Sequence, residues 1–372
     1  MKSKTRGVWI ASVENIDFPA KPGLSAQKLR CDLRQIVKKA KEIGFNMIAF
    51  QVRPTCDALY RSSLFPVSSY LAGEQTDTLP DNFDPLDYLI RIAHKEGIAV
   101  HAWVNPLRVT MGKQNAPKTD PNALHPMNPA RLHPEWTIPY SDGKLYFNCG
   151  LPEVRKLIAD GVREITANYP VDGIVFDDYF YPYPGPGGKF DDDEAYEIYG
   201  NGLSHDDWRR ENVNKMVEAC YRAVKDTKSE VEFGIAPFGI WRNDDGKNGG
   251  SATKGLSSAD RIYCDALAWM KAGTVDYIAP QIYWSFAFEI ARFDILADWW
   301  EKEAEKYPGV RYLICHAVYR AKNFDNENEI GDQIAYAEKL ARYSGAIHYG
   351  FGAIVRNDRN VADQLKKAYS AE

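Results

Sequence analysis

The 372-residue sequence lacks the patterns that mark several large classes of protein. Its 46 Lys and Arg residues, against 51 Asp and Glu, form no basic run that would follow a phosphate backbone, so no nucleic-acid partner is expected. No apolar run is long enough to cross a bilayer, so a soluble chain without a membrane span is expected. The N-terminal MKSKTRGVWIAS (1–12) passes from basic residues directly into a predicted strand, without the apolar stretch of a signal peptide.

Motifs for cofactors, metals and nucleophilic serine are also absent. SVENIDFPAKPG (12–23), after the first predicted strand, has none of the glycines that cradle a dinucleotide, and no GxSxG occurs. The histidines form no HxxxH or HxH pair, and the acidic run at 191–194 lacks EF-hand spacing and is interpreted as a solvated loop. We therefore expect neither a metal nor a cofactor. The six cysteines show no CxxC or CxxH spacing and are predicted to be free and mostly buried thiols.

What the sequence does contain is a strand–helix alternation repeated eight times. Strands are predicted at 7–12, 46–53, 99–105, 173–178, 232–237, 277–283, 312–317 and 346–355. Helices are predicted at about 26–42, 85–96, 152–168, 206–227, 259–272, 289–306, 328–343 and 359–370. This pattern predicts an α/β fold, a (β/α)8 TIM barrel that forms a single domain over residues 1–372.

The connections between these elements differ in length on the two sides of the predicted barrel. Helices lead into strands within a few residues, whereas the loops after three strands are long, at 54–84, 107–151 and 180–206. All post-strand loops of a parallel barrel lie at its C-terminal face, so a groove is expected there. Aromatic residues make up 13% of the chain, and their faces can stack on sugar rings, which favours a carbohydrate ligand.

The predicted fourth strand ends in two adjacent carboxylates, within DGIVFDDYFYPYP (172–184). Neighbours on a strand face opposite sides, so Asp177 is expected to face the groove and Asp178 a loop or the helix layer. An isolated Asp-Asp pair can equally cap a loop or pair with arginine. Its position at the end of the fourth of eight strands favours a catalytic role.

Polar and aromatic side chains follow several other predicted strands. Candidate substrate-binding residues are Arg53, Trp103, Asn105, Tyr179, Trp241, Arg242, Gln281, Tyr283, Trp284 and His316. Taken singly, Arg53 could form a surface ion pair and His316 could be a core histidine. Together such groups would bond sugar hydroxyls and amides while stacking against rings.

Several strings occur in order at successive strand ends, namely RGVWIAS (6–12), FQVRPTCDALY (50–60), AWVNPLR (102–108), FDDYFYP (176–182), PFGIWRN (237–243) and APQIYW (279–284). In these the chain, over about residues 5–370, resembles the glycosyl-hydrolase-like 10 family of bacterial exported proteins. The resemblance implies a glycan-cleaving barrel, similar to an enzyme that cleaves peptidoglycan strands already stripped of stem peptides. It also implies export to the periplasm or cell envelope, often as a lipoprotein.

The resemblance leaves the mechanism open. Against the DxxDxDxE pattern of chitinase-like barrels, Val175 and Tyr179 stand where an Asp and the proton-donating Glu are expected, which argues against ordinary substrate-assisted hydrolysis. Hydrolysis by two carboxyls places them about 5 Å apart for retention and roughly 6.5–9.5 Å for inversion. Asp177 is one candidate, and Glu14, Asp57 and Asp178 compete for the second position.

Two alternatives to a glycosidase place different requirements on the sequence. A noncatalytic glycan-binding barrel would keep the aromatic groove without the second acid. An unrelated barrel enzyme would need a Schiff-base lysine or a histidine–metal cluster at the strand ends, and neither is found in the sequence. The expected partner is a polysaccharide substrate, and the oligomeric state is left open.

Overall fold

Eight parallel strands close into a barrel in the computed structural model, which describes residues 4–185, 187–247 and 249–370. Together with two strands outside the barrel, the strands are β1 (Thr5–Ile10), β2 (Met47–Arg53), β3 (Ala99–Val104), β4 (Thr137–Pro139), β5 (Leu145–Phe147), β6 (Gly173–Phe176), β7 (Glu232–Ile235), β8 (Tyr277–Ile278), β9 (Arg311–Ala317) and β10 (Tyr343–Tyr349). The barrel order is β1, β2, β3, β6, β7, β8, β9 and β10, and β10 pairs with β1 to close it. Strands β4 and β5 form a separate antiparallel hairpin in the long loop after β3. The predicted TIM barrel is confirmed.

Helices lie between the barrel strands and within the long loops. They are α1 (Ala26–Ile43), α2 (Ser69–Ala72), α3 (Pro85–Lys95), α4 (Pro129–Leu132), α5 (Pro152–Asn168), α6 (Asp193–Tyr199), α7 (His205–Thr227), α8 (Ser258–Arg261), α9 (Ala266–Ala272), α10 (Phe293–Lys306), α11 (Glu329–Ala337), α12 (Phe351–Arg356) and α13 (Val361–Tyr369). Short 3-10 turns occur at Val13–Asn15, Pro80–Asn82, Pro121–Ala123, Pro134–Trp136, Val318–Asn323 and Asp358–Asn360. Among the described residues no helix combines the length and apolarity that a bilayer span requires.

Local sequence explains where the main helices begin. Ser25 and Ser204 accept backbone N–H bonds at the starts of α1 and α7. Asp84 does the same for α3, whose first residue is a proline. All six cysteines are free and five are buried, which confirms their prediction as mostly buried thiols.

The core of the molecule has two layers. One fills the barrel, where Trp9, Trp103, Val175 and Tyr277 meet, and the other lies between the strands and the surrounding helices. Gly234 makes room inside the barrel, because a Cβ there would lie 2.0 Å from the Tyr277 ring. The tightly filled interior gives the strand ends a rigid base.

Several predicted elements differ in extent from the observed ones, and three of them show why. The strand predicted at 346–355 ends at Tyr349 and is followed by α12, because a short apolar run does not distinguish a strand from a buried helix. The strand predicted at 277–283 shrinks to β8, and Pro280, which has no N–H to donate, follows it closely. The helix predicted at 259–272 is divided into α8 and α9 around Tyr263, whose φ of 55° is left-handed.

Candidate active site

A groove of about 570 Å³ opens at the C-terminal ends of the barrel strands. The long loops after β3 and β6 contribute Arg108, Met111, Tyr179 and Tyr183 to its walls. Asp177 and Asp178 both line it. We call this cavity the groove.

Asp177 is held by donors from the neighbouring strand ends. Its Oδ2 accepts hydrogen bonds from Trp103 Nε1 at 3.0 Å and from Asn105 Nδ2 at 2.5 Å. Its Oδ1 accepts from the backbone N–H of Tyr179 at 3.2 Å. The carboxyl is therefore fixed in orientation while it still lines the groove.

Asp178 has a separate set of partners. Its Oδ1 accepts from Gln281 Nε2 at 2.9 Å, and its Oδ2 accepts a hydrogen bond from the Tyr183 hydroxyl. Gln281 also donates to the backbone carbonyl of Ala236, so the amide is anchored to the end of β7.

The predicted division of the two aspartates between opposite faces is wrong. Strand β6 ends at Phe176, so Asp177 and Asp178 lie beyond the regular pleat that would send neighbours to opposite sides. Both carboxyls line the groove, and each is only 4% exposed.

Burial changes the proton affinity of this pair. Desolvation, followed by the nearby charge of Asp178, raises the pKa of Asp177 to about 6, while Arg108 and the hydrogen bond from Asn105 oppose the rise. Burial also raises the pKa of Asp178, against the hydrogen bonds from Tyr183 and Gln281. Since like charges this close resist ionising together, the pair titrates as a unit and retains a proton at higher pH than an ordinary aspartate. Such a pair can supply a proton to a leaving group.

A series of hydrogen bonds that supports Asp177 was not predicted from the sequence. Gln51 on β2 donates from Nε2 to Asn105 Oδ1 at 2.6 Å, and its Oε1 accepts from the backbone N–H groups of Ser12 and Val13. The series links groups at the ends of β1, β2, β3 and β6. In the sequence Gln51 lies inside the strand predicted at 46–53, and no pattern there indicates that its side chain would support Asn105.

Aromatic rings form much of the groove wall. Of the predicted substrate-binding residues, Trp103, Tyr179, Gln281, Tyr283 and Trp284 line it. The Trp284 ring meets the Phe238 ring edge-on at 5.4 Å between centroids. Trp9, Phe238 and Tyr349 also line the groove and were not among the candidates. Asn105 lies directly behind Asp177, to which it donates.

The other two catalytic candidates have different surroundings from the aspartate pair. Glu14 lines the groove, but its side chain is 46% exposed and pairs with Lys113 at 3.7 Å. Asp57 is buried and faces an adjoining cavity of about 610 Å³, with Met111 lining both spaces. Burial raises the pKa of Asp57, although Thr55, Gln75 and the Ser69 N–H bond its carboxylate. The structure thus brings Asp177 and Asp178 together and keeps Asp57 elsewhere.

Besides Asn105, four predicted substrate-binding residues do not line the groove. Arg53 is 1% exposed and lies over the Phe65 ring in the helix layer, close to Gly161 of α5. His316 is fully buried, with Nδ1 bonded to Gln333, and burial lowers its pKa to about 4. It is the core histidine that the sequence also allowed.

Trp241 and Arg242 likewise belong to the packing around the barrel. The Trp241 ring stacks on Trp299 at 5.8 Å, and its Nε1 donates to Asp265 at 2.8 Å. Arg242 covers the Trp241 ring and donates to Asp260. Strand ends alone could not distinguish these residues from groove residues, because Phe238 of the same loop lines the groove while Trp241 and Arg242 pack outside it.

The acidic run at 191–194 is not the solvated loop that the sequence predicted. Asp192 is buried and bonds Arg209 and His205, and α6 begins at Asp193. Ligand atoms of Asp192, Asp193 and His205 lie within 4.8 Å of one another. The Arg209 guanidinium already balances the buried Asp192, so the cluster is satisfied as an ion-pair network.

Comparison with known proteins identifies the family of the chain. The family model described as glycosyl hydrolase-like 10 matches residues 4–330. The chain belongs to this family. It is 40% identical over 368 residues to glycosyl hydrolase YngK of Bacillus subtilis, covering 97% of this chain and 70% of that protein. It is 36% identical over 326 residues to glycosyl hydrolase DigH of Escherichia coli K12, covering 85% and 73%.

Solved structures share the fold. The PgaB (BpsB) glycoside hydrolase domain of Bordetella bronchiseptica aligns with a TM-score of 0.65 at 13% identity, over 98% of this chain and 99% of that one. An endo-beta-1,4-mannanase of Thermotoga petrophila aligns with a TM-score of 0.58 at 11% identity, over 100% and 77%. At such identities the likeness concerns the barrel architecture.

Proposed function

We propose that this protein is a glycoside hydrolase that cleaves a polysaccharide by carboxyl acid–base catalysis. The observation that carries the proposal is the buried Asp177–Asp178 pair in an aromatic-lined groove at the C-terminal face of a barrel. Membership of the glycosyl hydrolase-like 10 family supports it independently.

The geometry suggests how the pair would act. The raised pKa of Asp177, about 6, lets one carboxyl of the pair hold a proton at mildly acidic pH and donate it to the glycosidic oxygen as the bond breaks. The other, as carboxylate, stabilises the positive charge that develops at the anomeric carbon. Asn105 and Trp103 on one side, and Gln281 and Tyr183 on the other, keep the two groups aimed into the groove.

We propose peptidoglycan glycan strands lacking stem peptides as the substrate. The family resemblance suggests it, and an open groove with rings such as Trp103, Tyr283 and Trp284 along its walls suits a polymer bound along its length. Such a substrate lies outside the cytoplasmic membrane, so we also propose that the protein acts in the periplasm or cell envelope.

Product analysis tests the proposal. Purified protein is incubated with intact sacculi, amidase-stripped glycan, chitin and xylan, and the products are analysed by mass spectrometry. We expect short oligosaccharides from amidase-stripped glycan, with no products from an Asp177→Asn control. Cleavage of chitin or xylan alone would contradict the proposed peptidoglycan substrate, but it would still support the proposal that the protein is a glycosidase. Binding without cleavage of any glycan would instead indicate a noncatalytic glycan-binding barrel.

A further inference from the structure

Arg108 is a buried cation in the groove, and no carboxylate of the described residues forms an ion-pair contact with it. It follows β3, is 5% exposed, and lines the groove. Its Nε donates to the Pro54 carbonyl at 2.9 Å, and its guanidinium lies 5.0 Å from the centroid of the Tyr179 ring. Among the described residues, Nη1 and Nη2 donate no hydrogen bond and no carboxylate pairs with the group.

This arrangement is unusual for an arginine. Arg side chains are rarely buried unless an anion balances them, because the charge loses its hydration. Here Nε and the ring of Tyr179 fix the plane of the guanidinium, while the two terminal amino groups remain free. A planar fork of N–H groups held in this way matches a carboxylate in a bidentate contact.

The two side-chain amides beside the aspartates are already engaged. Asn105 donates to Asp177 and Gln281 to Asp178. Arg320, the second arginine lining the groove, donates from Nη1 to the Tyr283 carbonyl. Arg108 differs from Arg320 in that its charge is close enough to act on both carboxyls.

We propose that Arg108 is a specificity residue that binds a carboxylate on the sugar unit adjacent to the Asp177–Asp178 pair. The inference deepens the proposed function and rests on it, since it makes the substrate an acidic glycan. An amino sugar with an ether-linked lactyl group carries such a group, and so does a uronic acid. Either would present a carboxylate to the fork while its neighbouring glycosidic bond lies at the aspartates.

A substrate–variant comparison tests the contact. The substrates are amidase-stripped peptidoglycan glycan and the same glycan with its carboxyl groups reduced to alcohols. The proteins are wild type, Arg108→Gln, Arg108→Lys and Arg91→Gln, the last changing an exposed arginine that pairs with Asp87 on α3. We expect Arg108→Gln to lower kcat/KM on the carboxylated glycan roughly 10- to 100-fold, the range for losing a charge-assisted contact. Arg108→Lys should keep part of the preference, and Arg91→Gln should match wild type.

The decisive result concerns the reduced glycan. Wild type should cleave it as slowly as Arg108→Gln does, and Arg108→Gln should no longer distinguish the two substrates. If Arg108→Gln slows cleavage of both glycans by the same factor, the residue acts on the aspartates themselves and the inference fails. Polygalacturonate is the uronic-acid substrate in this comparison. If it is cleaved in preference to amidase-stripped peptidoglycan glycan, the recognised carboxylate is the one attached directly to the sugar ring.

Binding measurements separate this inference from the proposed function. Isothermal titration of Asp177→Asn protein, with and without Arg108→Gln, is carried out with the carboxylated and the reduced glycan. If wild type cleaves nothing but the affinity still depends on both Arg108 and the carboxylate, the hydrolase proposal fails and the inference holds. If cleavage is observed but removing the carboxylate changes neither affinity nor rate, the inference fails alone.

Discussion

Asn105 donates to Asp177 across a 2.5 Å hydrogen bond that joins the ends of two neighbouring barrel strands. The bond favours the ionised form of Asp177 and so opposes the effect of burial. Gln51 fixes the Asn105 amide by bonding its carbonyl oxygen, which leaves the Nδ2 group to point at the aspartate. The proton affinity of the candidate acid is therefore set partly by neutral amides on the adjoining strands.

Replacing Asn105 with alanine should shift the pH profile of hydrolysis. Loss of the hydrogen bond raises the pKa of Asp177 further, so the limb of kcat/KM that reports loss of its proton should move to higher pH. Gln51→Ala should shift it in the same direction by a smaller amount. Rates measured from pH 4 to 9 check this, and an unchanged profile in Asn105→Ala would contradict the role assigned to the bond.

Both aspartates should be required for turnover. Asp177→Asn and Asp178→Asn should each reduce hydrolysis by roughly 100-fold or more, because both carboxyls line the groove. Asp57→Asn should retain most of the turnover, since its carboxylate faces the adjoining cavity. Asp160→Asn, on the outer surface of α5, serves as the matched control. Full activity in either of the first two variants would remove that residue from the mechanism.

Two tryptophans at successive strand ends should separate binding from stability. Trp241→Ala should destabilise the fold by about 3–5 kcal/mol, the cost of a cavity beside Trp299, and leave glycan affinity unchanged. Trp284→Ala should weaken glycan binding by about 1–3 kcal/mol with a smaller loss of stability. Urea unfolding and isothermal titration on an Asp177→Asn background check both effects. Weaker glycan binding by folded Trp241→Ala protein would indicate that Trp241 contacts the glycan.

The raised pKa of Asp177 also predicts how stability depends on pH. In the folded protein burial raises this pKa to about 6 from the ordinary 3.8, so folding favours the protonated carboxyl. That stabilisation is complete below about pH 4 and is lost as the pH rises through 6. Asp177→Asn, which cannot ionise, should therefore gain stability relative to wild type between pH 4 and pH 7. Urea unfolding at both values checks this, and a constant difference would argue against a buried ionisable group.

The barrel was predictable from the sequence because its signals are local and repeated. Apolar strand segments alternate with helical segments eight times, caps such as Asp84 mark some helix starts, and α5 was predicted at the bounds that the structure gives. The hairpin of β4 and β5 was missed, since its strands are three residues long and pair only through the fold of the loop.

The site was predictable only in part. The location of Asp177 followed from the strand count, but the direction of side chains beyond a strand end depends on the loop path, which the sequence does not specify. For this reason Asp178 lines the groove, contrary to prediction, whereas Arg53 and Trp241 pack outside it. Arg108 was visible as a polar residue in a loop, but only the folded structure reveals that its terminal amino groups are free.

The closure of the barrel has a practical consequence for producing the protein. The family match ends at residue 330, yet β10 begins at Tyr343 and pairs with both β1 and β9. A fragment cut at residue 330 would expose the backbone donors and acceptors of two strand edges, and we expect it to aggregate in size-exclusion chromatography while the full chain elutes cleanly. Boundaries for recombinant expression should therefore follow strand closure rather than the limits of sequence similarity.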